Sequence, residues 1–534
     1  MVVFHGGDAD LNLNEFVEGA CEEGAACPVG SNPEGYHLLC DDVAAPSADQ
    51  IMAYATLAEE MNKPGNGARR SENRSIPAGY TYFFQLVTHD LTHASIAFHR
   101  PRGVERRTDN MRTRGLWFDT LFGGGPSVCP LAYTPWKGGE SAEGARTLKL
   151  GPRREGRIMH DLARMRFATD GHYDGREPDE VLIADIRNED NAILAQFTSL
   201  LHRYYNYIIN SLLSKFTLKY QPGQMPEDYA RAVVAHSLRE VTWHDLCKRL
   251  MHKDIWAFYD QKADRQSYFD RRPDGFSVPL EFAAGVARMG HAMVRKRYQL
   301  SLSAPAGHSI AETVAHSSTR VHNPDITADL PLPDSWMIDW QLFFDRGHPR
   351  QQNALAFELL GNPSLSVPKL VPSGFDEKRM LGLPFRDLTR AAFSRVPDAF
   401  RVANFLKWRR ASRDAAGDLH SLFQNTLASA QMVDVTQAAL DDLWQGRQLP
   451  DEIKLIADAP PLLVYMLSDA WKGSGSGGQN LGVMGSILLA DVIHRARCDA
   501  EAANPWSAKI ADLADDLHGG PPREMGDILR LFGI

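Results

Sequence analysis

The sequence predicts a mainly α protein, on three observations. Long stretches repeat apolar residues at the three- and four-residue spacing of a helix face. Period-two alternation is sparse, and no chain of Asn-Gly hairpin turns is present. The 534 residues are 43% hydrophobic, enough to fill one large core.

Taken in order, residues 1–70 are rich in Gly, Asp, Asn and Pro and read as an irregular N-terminal arm. Residues 71–534 read as a single domain, because no linker interrupts them. Helical periodicity falls at 80–97, 190–215, 228–252, 278–300, 397–412, 419–431, 434–445 and 481–498. Pro- and Gly-rich excursions separate these at 121–152, 302–335 and 361–385, and loops of that length often line a binding channel. The stretch 473–482 (GSGSGGQNLG) has no Lys-Ser/Thr after it, so it reads as a loop and not a phosphate cradle.

The bulk numbers exclude several classes. A net charge of −9 argues against a nucleic-acid partner. No apolar run reaches the roughly 18–20 residues of a membrane span. The opening MVVFHGGDADLNLNEF lacks the basic and apolar regions of a secretory signal, so a cytoplasmic location is the default and secretion by another route the alternative. Six cysteines form no CxxC pair, which leaves zinc and dithiol chemistry without support. Cys21, Cys27 and Cys40 are near enough in sequence for a disulfide, with reduced thiols the expected state.

Three stretches carry chemistry. In 83–90 (FFQLVTHD), Gln85 and His89 stand four residues apart and share a helix face, while Asp90 points elsewhere. An amide beside an imidazole on an apolar helix suits a pocket that binds a small polar molecule and moves its proton. The competing reading is a core histidine satisfied by a neighbour. In 287–295 (ARMGHAMVR), Phe282, Val286, Met289 and Met293 form one stripe, and His291 projects from the other side among small residues. Gly290 costs such a helix ~1 kcal/mol, which suits close approach by something large and flat. A packed core helix with a histidine–backbone bond is the alternative. In 184–191 (ADIRNEDN), Arg187 precedes a helix N-terminus, where the dipole favours acids. Either it serves a site, or it pairs with Glu189 and Asp190.

Together these residues resemble the animal haem peroxidase (peroxidase–cyclooxygenase) superfamily, most closely its bacterial members. The distal motif Gln-x-x-Asp-His-Asp is matched by Gln85, Thr88, His89 and Asp90. The motif Gly-Asp-x-Arg-x-x-Glu is matched by Asp185, Arg187 and Asp190, with Asn206 following. The proximal Arg-x-Gly-His is matched by Arg288, Gly290 and His291. Asp387, Arg390 and Pro397 resemble the family's Asn-containing element, and Gly123 to Pro126 and Gly482 to Ser486 recur as well. The resemblance runs from about residue 70 to the C-terminus and implies the haem peroxidase fold.

What it implies for function is specific. His291 is the axial ligand of a haem iron, and Asp387 accepts from its other ring nitrogen. Asp387 stands where the family has Asn, which implies a more anionic imidazole and a lower iron potential. Arg288 neutralises a haem propionate or bridges to Asp387. His89 moves the proton of hydrogen peroxide, Arg187 stabilises the developing charge, and Gln85 holds a pocket water or anion. His93 is a rival for the role of His89. The activity implied is peroxide cleavage and oxidation of a small electron donor through a ferryl intermediate, with a place in the response to oxidative stress. Haem-dependent fatty-acid dioxygenase chemistry and a non-catalytic haem-binding protein are the alternatives. The dioxygenase branch has a relay Tyr three residues before the proximal His, where this chain has Arg288.

The chain also departs from the pattern. Thr88 and Asp190 occupy the positions that esterify haem in mammalian members, and Asn191 replaces a linking Met. Thr88 cannot form the ester and Asp190 is a methylene short, so haem b is expected mostly non-covalent. The calcium site is matched by Asp90, Thr113 and Asp119 within 113–119 (TRGLWFD), but Trp117 replaces a carboxylate. Calcium takes six to eight oxygens, so this site is weakened.

Overall fold

Helices form the body of the protein in a computed structural model that describes residues 36–40, 43–93, 110–112, 115–135, 145–153, 160–165, 181–215, 225–261, 277–304, 306–317, 330–345, 347–362, 381–411, 426–504 and 507–534. Among the described residues, strands occur as three antiparallel ribbons. They pair Glu72–Pro77 with Asn353–Leu355, Leu150–Arg153 with His160–Leu162, and Arg297–Tyr298 with His308–Ser309. The mainly α reading therefore holds.

Four helices build one side of the core. Helix α1 (Ala48–Met61) opens on a capping box, with Gln50 N–H donating to Ser47 Oγ at 3.2 Å and Ser47 N–H to Gln50 Oε1 at 2.9 Å. Helix α2 (Gly79–Leu91) starts against a loop so close that a Cβ on Gly79 would lie 2.6 Å from the Phe343 carbonyl oxygen. Helix α3 (Ala192–Lys215) is capped by Asn191, whose Oδ1 accepts from Ile193 N–H at 3.1 Å and Leu194 N–H at 2.9 Å. Helix α4 (Pro226–Val241) packs along α3 and runs on into a π turn, Thr242–Cys247.

The other side is less regular. Residues 282–293 form one helical segment of three kinds: π over Phe282–Val286, α over Ala287–Met289, and 3-10 over Gly290–Met293. Helix α5 (Gly382–Phe393) lies against its start and against α1. Behind it stand α6 (Leu462–Ser468) and α7 (Gly482–Ala503). The approach is close: a Cβ on Gly285 would meet Leu462 at 3.2 Å, and one on Gly485 would meet the Met289 sulfur at 3.3 Å.

Four expected helices are affected. The one expected at 80–97 ends at Leu91, because Thr92 turns extended and sends its N–H and hydroxyl back to the Thr88 carbonyl at 2.9 and 2.6 Å. His93 thus leaves the helix, and its N–H goes to Asn110 Oδ1 at 2.9 Å. The one expected at 278–300 stops at Met293, and Arg297–Tyr298 is strand. Where helices are expected at 419–431 and 434–445, the described residues hold one over Ser429–Leu443, since Ala428 is extended; residues 412–425 lie outside the described residues. Within the first 70 residues, α1 is regular and residues 36–40 lie beside the start of the 282–293 segment. Cys21 and Cys27 lie outside the described residues, and Cys129 and Cys247 carry free thiols. No described helix is long and apolar enough to cross a membrane.

Candidate active site

The distal wall is α2 and the 3-10 turn Ile186–Glu189 that precedes α3. Their meeting fixes His89. Asn188 Nδ2 donates to the Thr120 carbonyl at 3.1 Å, so its amide oxygen faces the imidazole. That oxygen lies 3.0 Å from His89 Nδ1. An oxygen can only accept, so Nδ1 carries a proton, and in the neutral ring Nε2 keeps its lone pair. The ring is therefore held in the tautomer of a base. Its Nε2 lies 3.8 Å from Asp190 Oδ2, and Gln85 Nε2 donates to the same oxygen at 3.4 Å.

Asp190 is unusual. Burial pushes its carboxyl up to about 7, against the pull of Arg187 and with Glu189 adding to the rise. Its side chain nevertheless keeps 37% of its surface accessible, so it faces an internal space. A carboxyl that titrates near neutrality beside a basic imidazole can hold or release a proton.

Arg187 pairs with neither Glu189 nor Asp190. Its guanidinium grips Asp185 through Nε at 3.1 Å and Nη2 at 2.7 Å, and donates to the Thr92 carbonyl at 2.6 Å and the His89 carbonyl at 2.9 Å. Asp185 also pairs with Arg112, and Glu189 takes Arg164 at 2.5 Å. Burial lowers the Arg187 guanidinium to about 10, which leaves it cationic at neutral pH. Arg187 thus ties the end of α2 to the turn that carries Asn188. Thr88 spends its hydroxyl on the Gln85 carbonyl at 2.8 Å, and Asn206 pairs reciprocally with the Leu148 backbone at 2.8 Å.

The proximal wall is the 282–293 segment with α5. His291 Nδ1 donates to Asp387 Oδ2 at 2.6 Å, which leaves Nε2 for another partner. The His291 side chain is 35% accessible although Val286, Met289, Ala292 and Met293 around it are buried. Burial alone would raise the Asp387 carboxyl; the His291 contact, then Arg288 and Arg390, override it and hold it below the usual carboxylate range. Arg288 Nε donates to the Ala283 carbonyl at 3.1 Å. A pocket is lined by Arg288, His291, Asp387, Asn362 and leucines such as Leu388 and Leu463. Gly290 is helical, and the group that approaches it is the Phe84 ring of α2, 3.1 Å from where a Cβ would stand.

These residues fit a haem. His291 offers one ring nitrogen with its proton fixed on the other, as an axial ligand requires. Arg288 and Arg390 lie close enough to repel each other, and Asp387 is the carboxylate between them and His291. Such a pair suits the carboxylates of haem.

Of the residues matched to a calcium site, Asp90 has its carboxylate taken up by the loop's own donors. Asp90 Oδ2 accepts from Phe118 N–H at 2.6 Å, and Oδ1 from Thr120 N–H at 3.2 Å and Thr120 Oγ1 at 3.4 Å. Calcium needs oxygens at that place, and the loop presents N–H groups. Burial and the Asp119 charge push the Asp90 carboxyl up to about 6, and Arg112 supplies the local positive charge. Thr113 lies outside the described residues. Among the described residues, no group of three or more His, Cys, Asp or Glu is placed to hold a metal ion.

Asn188 and Tyr36 escaped the sequence reading. Asn188 follows Arg187 directly, and its signal was an amide inside the same motif. Tyr36 is 3% exposed and lies in the field of Arg187, Arg288 and Arg390, between the two walls. Nothing in its local sequence marks it.

Comparison with known proteins agrees with this architecture. No family model and no curated protein matches the chain. Solved structures do. Peroxidase A from Dictyostelium discoideum is 10% identical, with 94% of each chain covered and a TM-score of 0.55. The Oryza sativa fatty acid alpha-dioxygenase is 12% identical, with 92% of this chain and 80% of that chain covered and a TM-score of 0.53. The fold is that of the haem-dependent peroxidases. A haem peroxidase and a fatty acid dioxygenase are both similar to this chain in fold, and neither similarity extends to sequence.

Proposed function

We propose that the protein is a haem-dependent peroxidase that reduces hydrogen peroxide and oxidises a small donor. The observation that carries this reading is the 2.6 Å contact from His291 Nδ1 to Asp387. It orients one ring nitrogen toward an iron and makes that nitrogen more basic. Haem, when bound, supplies the electron transfer that reduces peroxide and oxidises the donor.

The chain's own residues supply the rest. His89 Nε2 is placed to take a proton from peroxide and return it to the departing oxygen. Asn188 holds the proton of the neutral ring on Nδ1, so that Nε2 is the nitrogen turned to the site. Asp190 holds a proton near neutral pH and lies within reach of Nε2, and Gln85 positions its carboxylate. Arg187 brings positive charge to the distal wall and locks α2 against the Asn188 turn. Thr88 commits its hydroxyl to α2, which supports haem held without a covalent link there.

A dioxygenase reading is supported by the comparable fold likeness to the Oryza sativa enzyme. Arg288 three residues before His291, where a relay Tyr would stand, favours the peroxidase. Haem-loaded protein given peroxide and a phenol should consume peroxide at a rate set by the phenol. Oxygen uptake with a fatty acid, and no peroxide consumption, would instead establish the dioxygenase. Acidified butanone should extract the haem; haem that stays with the polypeptide would contradict non-covalent binding.

A further inference from the structure

Arg70 joins the proximal wall to a ribbon outside the site. It stands just before the strand Glu72–Pro77, which pairs with Asn353–Leu355. Its Nη2 donates to the Ala292 carbonyl, one residue past His291, and to the Ala356 carbonyl at 3.4 Å. The Ala292 carbonyl is among the last four of the 282–293 segment, which a helix cannot satisfy from within. The turn Gly290–Met293 that carries His291 is 3-10, with the poorer hydrogen-bond geometry of that helix, so an outside donor counts for more there. Arg295 returns the connection: it donates to the Asn353 carbonyl at 2.5 Å and pairs with Glu72 at 2.7 Å. Two arginines thus strap the ribbon to the turn, one from each side.

Capping a carbonyl takes one donor, and Arg70 brings a fork of five. Its Nε and Nη1 are buried and have no hydrogen-bond partner among the described residues. Buried donors left unpaired are costly, so a neutral side chain would make the better cap. What arginine adds is charge. Burial lowers the guanidinium to about 10, which leaves it cationic at neutral pH. Glu358 attracts it, but gives both carboxylate oxygens to the Ser71 N–H at 3.3 Å each and offsets the cation only in part. The His291 ring therefore stands between opposite charges. Asp387 accepts from its Nδ1 at 2.6 Å, and Arg70 holds the carbonyl of the next residue. The carboxylate pushes electron density toward the free ring nitrogen, and the cation draws it back.

We propose that Arg70 is a positioning residue of the proximal wall: it holds the carbonyl next to His291 and sets its buried charge against that of Asp387. The proposal rests on the haem reading. In the haem-loaded chain, Arg70 favours the ferrous state and Asp387 the ferric.

The test uses the full chain loaded with haem, with the iron potential read by spectroelectrochemistry. Arg70→Gln and Arg70→Met remove the charge, and the first keeps a donor for the Ala292 carbonyl. Arg70→Lys keeps the charge. Arg295→Met cuts the strap from the other side and leaves Arg70 in place. The two neutral variants should favour the ferric state by roughly three- to tenfold, a fall of about 30–60 mV. Arg70→Lys and Arg295→Met should stay near wild type. Wild-type potentials in the neutral variants would overturn the proposal. So would an equal fall in Arg295→Met or in Arg70→Lys, because attachment of the ribbon or the shape of the fork would then explain the shift without the charge. If neither neutral variant loads haem and Arg70→Lys does, a wild-type potential in Arg70→Lys supports the proposal and a fall of that size overturns it. Each of these failures leaves the haem reading standing. A wild-type chain that takes up no haem would overturn both.

Discussion

The two walls of the site are built from different kinds of helix. The distal wall rests on a regular α-helix, where Gln85 and His89 meet Asp190 because four residues make one turn. The proximal wall changes from π to α to 3-10 within 282–293. Its histidine is oriented by a carboxylate 96 residues away. Local spacing suffices for the first wall. The second needs backbone irregularity and a partner helix, and π turns of this kind are common at functional sites.

The walls should therefore fail differently. The largest effect is expected at the distal histidine: His89→Ala should slow peroxide reduction by roughly 10²–10⁴-fold while haem stays bound. Stopped-flow absorbance checks this, and a near-wild-type rate would remove His89 from its role. Asn188→Leu should slow the same step by about tenfold, since one hydrogen bond fixes the tautomer. It should also change the pH–rate profile, which a merely structural asparagine would leave alone.

On the proximal wall the effect should be electronic. Asp387→Asn keeps the hydrogen bond and removes the charge, so the iron potential should rise by roughly 60 mV, one decade for one electron. Spectroelectrochemistry showing no change or a fall would contradict the role given to Asp387. The smallest effect lies at the root of that wall. Burial pushes the Glu281 carboxyl up to about 7 from its ordinary 4.5. The folded state thus holds a proton that the unfolded state has released, and stability from this group falls as pH rises from about 4.5 to about 7. Glu281→Gln has no such proton. Its melting temperature relative to wild type should climb by about 2 °C across that window and then level off. A constant difference at every pH would contradict the buried titration.

The contrast between the walls also explains what could be read beforehand. The shared helix face of Gln85 and His89 was legible because they sit four residues apart in a dense local motif, whereas the pairing of Arg187 with Asp185 was not. His291 stood out on its own helix as one of two alternatives, but its partner Asp387 was legible only through family resemblance, since 96 residues of spacing carry no local signal. Helix ends were not legible. Nothing in the apolar periodicity of 80–97 shows that the Thr92 hydroxyl would turn back on Thr88 and release His93. Asn188 was hidden because its importance lies in the direction of an amide, which the Thr120 carbonyl sets. Tyr36 was hidden because the segment that carries it is irregular and takes its position from residues 277–281. Asp90 was matched to a calcium site by type, and what type did not show is that its oxygens accept from the loop's own N–H groups.

The central claim is that His89 and His291 face one haem from opposite sides, with only His291 bound to iron. The most direct measurement is the absorption and electron paramagnetic resonance of haem-loaded wild type, His89→Gly and His291→Gly, each with and without added imidazole. The account predicts that His291→Gly alone loses the axial-ligand signature and regains it with imidazole. Loss in His89→Gly with retention in His291→Gly, or an unchanged signature in both, would contradict it.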